Sequence, residues 1–313
     1  MKKILCCGSV TTDILVKPVN SIPTPGTLRS VESITTCVGG CATNCGIDLG
    51  KLGVPVAVSC RVGEDFYGEF IKAELKKYNV DISPVVTKGP SPTTLSIACI
   101  QSTGERSFLY NPASGADYCL DDINWDAVDE CEIVFYTGAM LLTSFDGVPC
   151  AEFLKECQKR GKLTVFDTAW DFDDIWLPKL EGVFEYIDIF MPSYDEAARL
   201  SGETELPKIA DFFFKKGVKN VIIKIGADGA YVQPNGEQGK IYPTYKNVKP
   251  IDTTGAGDSF CAGFLAGLAQ GWDFEHSAKF GNAVGTHCIM AVGASTGIVS
   301  IEDTLKFMEE NTL

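Results

Sequence analysis

The sequence predicts an α/β fold in which helices cover a mostly parallel central sheet and a second, smaller β-sheet lies beside it. From about residue 130 onwards, short apolar runs alternate with helical patterns, and this alternation is typical of parallel sheets. Two N-terminal regions instead alternate apolar with polar residues between turn residues, which indicates exposed strands. The chain of 313 residues is long enough for one large domain with a small appendage.

The elements of the main sheet follow from apolar runs and their spacing. Strands are predicted where short apolar runs end in a turn or a polar residue: 3–9, 54–60, 133–136, 163–167, 187–191 and 221–224. Helices are predicted where apolar residues recur with helical spacing: 40–52, 66–78, 149–160, 195–200, 206–216, 258–270 and 273–291. Strand and helix therefore alternate along most of the chain.

The smaller sheet is predicted from residues 11–37 and 92–113. Both segments contain alternating stretches, and residues 102–105 supply the turn of a hairpin within the second segment. The two segments are expected to pair into an antiparallel sheet. The remaining residues, 1–10, 38–91 and 114–313, are assigned to the core.

Composition narrows the classes of function. The formal charge of −14 disfavours binding to nucleic acid or to an anionic membrane surface, because both carry negative charge. The apolar runs are shorter than the ~20 residues of a membrane span, and the N-terminus lacks the features of a signal peptide. We therefore expect a cytoplasmic protein.

The chain contains 13 cysteines, an odd number scattered without a CxxC motif. Cys37, Cys41 and Cys45 are spaced by four, but a metal site needs a further ligand and the sequence offers only His276 and His287. A disulfide framework is typical of much shorter secreted chains. We therefore expect free, partly buried thiols, in keeping with a reducing compartment.

The most informative segment is 252–258, Asp-Thr-Thr-Gly-Ala-Gly-Asp, which leads into an apolar helical run. Its glycines allow a tight turn that exposes successive N–H groups at the positive end of the helix, a natural anion hole for a phosphoryl group. Asp258 stands at the start of the helix, where it can accept a proton from an attacking hydroxyl. The spacing alone fits an ordinary helix N-cap equally well. Neither the Walker A pattern nor the Rossmann glycine fingerprint occurs.

Residues 252–260 resemble the C-terminal signature of the PfkB-type, ribokinase-like carbohydrate kinases. Residues 38–44, Val-Gly-Gly-Cys-Ala-Thr-Asn, resemble the Gly-Gly motif in the N-terminal half of the same family. The resemblance runs over essentially the whole chain. It implies a three-layer sandwich in which a small β lid, here 11–37 and 92–113, closes over a sugar. It also implies transfer of the γ-phosphoryl group of ATP to a substrate hydroxyl, with Mg²⁺ and often with K⁺.

The resemblance assigns roles to residues near the two motifs. Asp258 is similar in position to the family's catalytic base, and the amides of Gly255, Ala256 and Gly257 to its anion hole. The expected sugar-binding residues are Asp13, Gly39, Gly40 and Asn44, since carboxylate and amide groups suit vicinal hydroxyls. A turn aspartate and a helix-face amide are the alternative interpretations of Asp13 and Asn44.

The nucleotide and metal sites are implied in the same way. The residues that resemble the family's ATP-binding positions are Ser193, Lys224, Gly226, Gly229 and Asn282. A hairpin turn accounts for Gly226 and Gly229 equally well. The expected metal-binding residues are Glu196, acting on Mg²⁺ through water, and Asp252, Thr254, Ala291 and Gly293, around a monovalent cation. The family usually has Asn where this chain has Ser193, a departure that affects the expected phosphate and metal contacts and leaves room for Asp195 to share the role of Glu196.

The substrate is expected to be an unphosphorylated sugar. Ribokinase has Lys-Gly after the Gly-Gly pair, whereas this chain has Cys41-Ala42, and Arg106 is the nearest candidate cation for a sugar phosphate. A nucleoside kinase of the same fold and a non-catalytic sugar- or nucleotide-binding regulator are the alternatives. The resemblance also admits a homodimer formed through the lid.

Overall fold

A computed structural model describes residues 1–311. Its strands are β1 (Ile4–Gly8), β2 (Thr11–Lys17), β3 (Ser33–Gly39), β4 (Val56–Val62), β5 (Val85–Thr87), β6 (Leu95–Ile100), β7 (Arg106–Asn111), β8 (Ile133–Ala139), β9 (Leu163–Thr168), β10 (Ile189–Phe190), β11 (Asn220–Lys224), β12 (Ala230–Pro234) and β13 (Lys240–Tyr242). Its α-helices are α1 (Cys41–Lys51), α2 (Phe66–Lys77), α3 (Ala113–Asp117), α4 (Trp125–Asp129), α5 (Val148–Lys159), α6 (Tyr194–Ser201), α7 (Leu206–Lys215), α8 (Ala256–Gln270), α9 (Phe274–Ile289) and α10 (Ile301–Glu310).

In the described chain, the main sheet contains nine strands in the order β13-β12-β11-β10-β9-β8-β1-β4-β5. All neighbouring strands are parallel except in the two pairs that involve β12. Strand β1 lies inside the sheet, with Ile4 paired to Val56 on one side and to Ile133 on the other. The predicted α/β fold with a mostly parallel sheet is therefore confirmed.

Both faces of the main sheet are buried, because successive side chains of each strand point to opposite faces. Ile4 and Cys6 of β1 pack on one side with α1, α8 and α9, whereas Leu5 and Cys7 pack on the other side with α5 and α7. Strands buried on both faces form continuous apolar runs, which is why these strands could be predicted from the sequence.

The small sheet consists of four strands in the order β3-β2-β6-β7. The pairs β2–β3 and β6–β7 are antiparallel, and the second pair is the predicted hairpin. The central pair, β2 and β6, is parallel, so the expectation of a purely antiparallel sheet is wrong here. The reason is the chain path: after β3 the chain builds α1, β4, α2 and β5 before it returns to β6, a long crossover of the kind that parallel neighbours require.

Several short elements escaped prediction. β5 and β13, the edge strands of the main sheet, are only three residues long, and α3 and α4 are only five, so they carry little periodicity. Helix α10 was also missed, although Ser300 marks its start by accepting a hydrogen bond from the Asp303 amide.

Residues 1–311 show the state of the cysteines, of the candidate metal ligands and of the apolar helices. All 13 cysteines lie in this range as free thiols, and nine of them are buried. Within the same range, no three His, Cys, Asp or Glu side chains lie close enough to hold a metal ion by themselves. No helix of this described part combines the length and the apolar character needed to cross a membrane.

The aromatic core beneath α7 provides a stability test. Phe190 is fully buried, and its ring lies 4.7 Å from that of Phe213 and 6.0 Å from that of Phe166. We expect Phe190→Ala to lower the free energy of unfolding by about 3–5 kcal/mol, through lost burial and the cavity it leaves. Urea denaturation measures the loss. Leu28→Ala is the matched control, because Leu28 is 92% exposed; equal losses in both variants would contradict the described core.

Candidate active site

The predicted site residues meet at one edge of the main sheet. Strand β1 ends at Gly8 and leads directly into β2 of the small sheet, while β9 and β11 end at Thr168 and Lys224. The carboxyl ends of parallel strands share one edge, and ligands of open α/β sheets bind there. The small sheet therefore starts at the edge where Asp167 and Lys224 are presented.

Helix α8 begins at this edge and carries the predicted base. Its N-cap is Gly255 in the left-handed region, with φ of 80°, and Ala256 is its first residue. Asp258 is the third residue of the helix, so the N-cap interpretation of Asp258 is wrong and the helix starts earlier than predicted. A Cβ on Gly255 would lie 2.6 Å from the Ala294 Cα, so the turn depends on glycine.

The three amides predicted to form the anion hole are not equivalent. The Ala256 N–H donates to the Thr253 carbonyl at 3.2 Å, which engages it in the turn. The amides of Gly255 and Gly257 make no hydrogen bond to another residue of the described chain. Two of the three are therefore available to an anion, and the positive end of α8 favours one.

Asp258 is held by α1. The Asn44 side-chain amide donates to Asp258 Oδ2 at 2.8 Å. Burial raises the pKa of Asp258 above its ordinary value, while the Asn44 hydrogen bond, the Lys224 charge and the Cys41 thiol oppose the rise. Asp258 keeps some solvent exposure, so a substrate can reach it. Asn44 is itself buried, and its position on α1 agrees both with a helix-face amide and with a side chain that holds the predicted base.

The Gly-Gly pair lets two turns pack closely. Gly40 has φ of 91°, and a Cβ there would lie 2.5 Å from the Val10 Cα. A Cβ on Gly39 would lie 2.1 Å from Asp13 Oδ2. Any side chain at these positions would clash, so the glycines allow Asp13 to lie beside the start of α1.

Asp13 belongs to a polar row across the small sheet. It pairs with Cys37 and Ser96, and Ser96 pairs with Tyr110, so the four side chains share one face. Burial raises the pKa of Asp13 to about 6, although hydrogen bonds from the Ser96 and Thr11 hydroxyls oppose the rise. Asp13 lies within a strand, which excludes the turn interpretation.

Aromatic side chains extend this face. The ring of Tyr110 lies 6.3 Å from that of Phe172, which belongs to the segment after β9. Phe108 and Arg106 lie on the same face as Tyr110, because alternate residues of a strand point the same way. Phe108 is 60% exposed, so its ring is available to a ligand beneath the small sheet.

Lys224 and Asp167 form an ion pair. The sequence predicted a role at the site for Lys224 but identified Asp167 only as the last residue of a strand. Their side chains are 2.6 Å apart and only 13% and 3% exposed. Burial alone would lower the pKa of Lys224, but the charge of Asp167 raises it above its ordinary value. The Lys224 ammonium lies 3.7 Å from the position of a Cβ on Gly257, so this cation sits beside the α8 amides. The sequence feature that could have indicated Asp167 is its position at the carboxyl end of an apolar strand, where ligands of open α/β sheets bind.

All five residues predicted to bind ATP line one cavity of about 1000 Å³, together with Ala256 and Gly257: Ser193, Lys224, Gly226, Gly229 and Asn282. Gly226 and Gly229 form the tight connection between β11 and β12, so the hairpin interpretation holds as well. The Asn282 amide donates to the Tyr242 and Pro243 carbonyls at 2.8 and 3.1 Å. Asn282 thus fixes the loop that forms one wall of the cavity.

Ser193 has a clear structural role. It is the N-cap of α6, its amide donates to Glu196 Oε2 at 3.0 Å, and its hydroxyl accepts from the Glu196 amide at 3.4 Å. This capping box explains why serine suits the position. Thr168 also donates to Glu196 Oε2, at 3.0 Å, which leaves Oε1 for another donor. Asp195 is exposed and also lines the cavity.

The side chains at this site would bind Mg²⁺ through water rather than as direct ligands. The described residues contain no preformed cluster of three metal-ligating side chains. Mg²⁺ commonly keeps several waters and binds through phosphates and one or two carboxylates. Glu196, held through one oxygen, would serve as such a water-mediated partner.

Three of the four residues predicted to bind K⁺, Asp252, Thr254 and Gly293, hydrogen-bond to one another or to Arg106. Asp252 Oδ1 accepts from Arg106 Nη2 at 2.7 Å and from the Thr254 amide at 3.0 Å, and the Thr254 hydroxyl also bonds to Arg106. Gly293 presents its N–H, not its carbonyl, to Asp252 Oδ2 at 3.0 Å. Burial would raise the pKa of Asp252, but the Arg106 and Thr254 bonds outweigh it and lower the pKa to about 2. A guanidinium already neutralises this carboxylate, and Ala291 only follows the end of α9.

Solved structures identify the architecture. The chain aligns with the ribokinase of Thermotoga maritima at a TM-score of 0.84 and 26% identity, over 99% of this chain and 100% of that chain. Arabidopsis thaliana ribokinase, solved with ribose and ATP, aligns at a TM-score of 0.86 and 25% identity, over 97% and 98% of the two chains. The protein therefore has the ribokinase-like three-layer fold, with a smaller sheet beside the main one.

Sequence comparison identifies the family. The model of the pfkB family carbohydrate kinases matches residues 1–301. The 2-dehydro-3-deoxygluconokinase of Bacillus subtilis is 26% identical over 296 residues, which cover 90% of each chain. The chain belongs to the pfkB carbohydrate kinase family, and the predicted class of phosphotransferase acting on an alcohol group is confirmed.

The buried ion pair generates a second test. Asp167→Ala leaves the Lys224 ammonium buried without a partner, so we expect the free energy of unfolding to fall by about 3–5 kcal/mol. The double variant Asp167→Ala/Lys224→Met removes both charges and should lose much less. Glu205→Ala, which breaks an exposed pair with Lys208, is the control and should cost less than about 1 kcal/mol. Equal losses in the single and double variants, measured in urea, would show that the pair is not buried as described.

Proposed function

We propose that the protein transfers the γ-phosphoryl group of ATP to a hydroxyl of a small, unphosphorylated sugar, with Asp258 as the base. One observation carries this proposal: Asp258 directly follows Ala256 and Gly257, which line the cavity of about 1000 Å³, and its carboxylate accepts a hydrogen bond from Asn44 of α1. A carboxylate next to the lining of a nucleotide-sized cavity would accept a hydroxyl proton as the phosphoryl group arrives.

The negative charge of the phosphoryl group would be stabilised by groups that line the cavity. Gly257 and Lys224 line this cavity, the Lys224 ammonium lies 3.7 Å from the position of a Cβ on Gly257, and the positive end of α8 begins one residue earlier, at Ala256. Such preorganised donors stabilise charge that develops during transfer, because they need no rearrangement. Mg²⁺, when bound, supplies further charge neutralisation at the phosphates, and Glu196 would hold it through water. Gly226, Gly229, Ser193 and Asn282 shape the cavity wall around ATP.

The acceptor is positioned from the opposite side. Asp13 lies beside Gly39 and Gly40, where its carboxylate would accept hydrogen bonds from sugar hydroxyls. Asn44 would hold the base while its amide borders the same cleft. The Asp13 and Asp258 carboxylates thus have different tasks: one binds hydroxyls and the other removes a proton.

An unphosphorylated acceptor is supported by Arg106. This side chain was the nearest candidate for binding a sugar phosphate, but it is already paired with Asp252. With that pair intact, Arg106 is not free to bind a second phosphate, and the net charge of −14 adds no attraction for one.

A nucleoside is the second candidate acceptor. Phe108, Tyr110 and Phe172 present aromatic rings beside the cleft, and Phe108 is largely exposed there. Such rings stack on a nucleobase, whereas a small free sugar needs fewer of them. The polar row at Asp13 would bind the ribose of a nucleoside and the hydroxyls of a free sugar in the same way.

We place this reaction in the cytoplasm, in keeping with the free thiols, and we propose a homodimer formed through the small sheet. The face of the small sheet opposite Asp13 exposes Ile34 and Leu109, at 66% and 63%. Both belong to the set of alternate residues that point away from the cleft. An apolar face of this kind is suited to pairing with a second copy.

Asp258→Asn tests the mechanism. The amide keeps the size of the side chain but cannot accept the proton, so we expect kcat to fall by about 10²–10⁴-fold. ATP affinity, measured by calorimetry, should persist, because the cavity is unchanged. Asp126→Asn, at an exposed position in α4, is the matched control and should leave kcat unchanged. A wild-type rate in Asp258→Asn would rule out the proposed base.

The hydrogen bond from Asn44 predicts a pH effect. The base must be ionised, so activity is lost as the pH falls below its pKa. The Asn44 bond lowers the pKa of Asp258, so Asn44→Ala raises it further and moves the acid limb of the kcat profile to higher pH. Asn235→Ala, in an exposed turn, should leave the profile unchanged. An acid limb at the same pH in Asn44→Ala would contradict the role of Asn44.

A further inference from the structure

Arg106 connects the small sheet to the loop that precedes α8. It is the first residue of β7, and its guanidinium donates to Asp252 Oδ1 at 2.7 Å and to the Thr254 hydroxyl. The two partners are separated from it by 146 and 148 residues of sequence. This contact therefore joins the small sheet to the loop directly before the predicted anion hole.

The contact is more than a surface ion pair. The Asp252 side chain is only 10% exposed and that of Arg106 35%, so water screens the pair incompletely. Both Asp252 oxygens are used, since the Thr254 and Gly293 amides donate to them as well. The carboxylate is thus fixed in one orientation by donors from three parts of the chain.

Asp252 needs this positive charge because of its position. It lies three residues before Gly255, whose amide belongs to the anion hole. A partly buried carboxylate so close to that turn repels an incoming polyphosphate unless a cation neutralises it. Arg106 supplies such a cation as part of the chain, where the family resemblance led us to expect K⁺.

We propose that Arg106 is a tethered replacement for the monovalent cation: it neutralises Asp252, holds the loop before the anion hole, and makes the reaction independent of K⁺. This inference rests on the proposed function, because it concerns the same phosphoryl-transfer site. Arg106 acts through Asp252 and Thr254, so it is a positioning residue. Since it belongs to the small sheet, the loop is fully held only while the small sheet lies against the core.

The experiment compares K⁺ with choline at constant ionic strength. The wild-type protein, Arg106→Ala, Arg106→Lys and the control Arg29→Ala are assayed for phosphoryl transfer in each salt. Arg29 is a suitable control because it lies in the same appendage and contacts only the exposed Ser21. The wild type and Arg29→Ala should be equally active in both salts. In choline, Arg106→Ala should lose about 10- to 100-fold in kcat/KM, the cost typical of displaced catalytic groups.

Rescue by an added cation distinguishes loss of the Arg106 charge from a general loss of folding or activity. KCl or guanidinium chloride should restore much of the activity of Arg106→Ala, and Arg106→Lys should stay K⁺-independent because it keeps a tethered charge. Thermal unfolding provides a readout without catalysis: K⁺ should raise the Tm of Arg106→Ala relative to choline but leave the wild-type Tm unchanged. If Arg106→Ala does not fold, Arg106→Lys still tests whether a tethered charge removes the need for K⁺.

The outcomes distinguish this inference from the proposed function. An active wild-type enzyme that requires K⁺ would overturn the role of Arg106 while leaving the kinase mechanism intact. Unchanged activity of Arg106→Ala in choline would overturn it equally. Absence of phosphoryl transfer by the wild type in either salt would instead contradict the proposed function, and the Tm comparison would still decide whether Arg106 replaces a cation.

Discussion

The hydrogen bond from Asn44 to Asp258 joins α1 to α8 where both helices begin, at the carboxyl edge of the main sheet. A second bond, from Ser259 Oγ to Asp48 Oδ2 at 2.6 Å, repeats this contact one turn further along α1 in a fully buried position. Helix α1 continues directly from β3 through the Gly40 turn. The small sheet, the anion hole and the proposed base therefore depend on the same pair of helices.

Local charge explains how a protein with a net charge of −14 can hold a polyphosphate. The Gly257 amide at the start of α8 lies beside the Lys224 ammonium, whose charge is shared with Asp167, and such local groups act strongly because the interior screens charges weakly. Arg106 neutralises the one carboxylate, Asp252, that would oppose them from the preceding loop.

Local features were predictable from the sequence, and long-range contacts were not. The apolar strands and the Gly255 turn were predictable because each depends on a short motif or period, whereas the residues that line the large cavity were named through the family resemblance. The partner of Asn44 lies 214 residues away, and that of Arg106 lies 146 residues away. Such contacts follow from sheet order and from the return of the chain to β6, which local patterns do not encode. The pairing of Arg106 with Asp252, on which the proposed replacement of K⁺ rests, was unpredictable for the same reason, since no motif places these residues side by side.

Phosphoryl transfer from ATP to a small polyol, at Asp258 and the start of α8, is the reaction proposed for this site. The most direct measurement is phosphorus NMR of the wild-type protein incubated with ATP and Mg²⁺ and with panels of free sugars, sugar acids and nucleosides in turn. We expect one class of acceptor to yield a phosphate ester together with an equal amount of ADP. Release of inorganic phosphate alone, or intact ATP with every acceptor, would contradict this expectation.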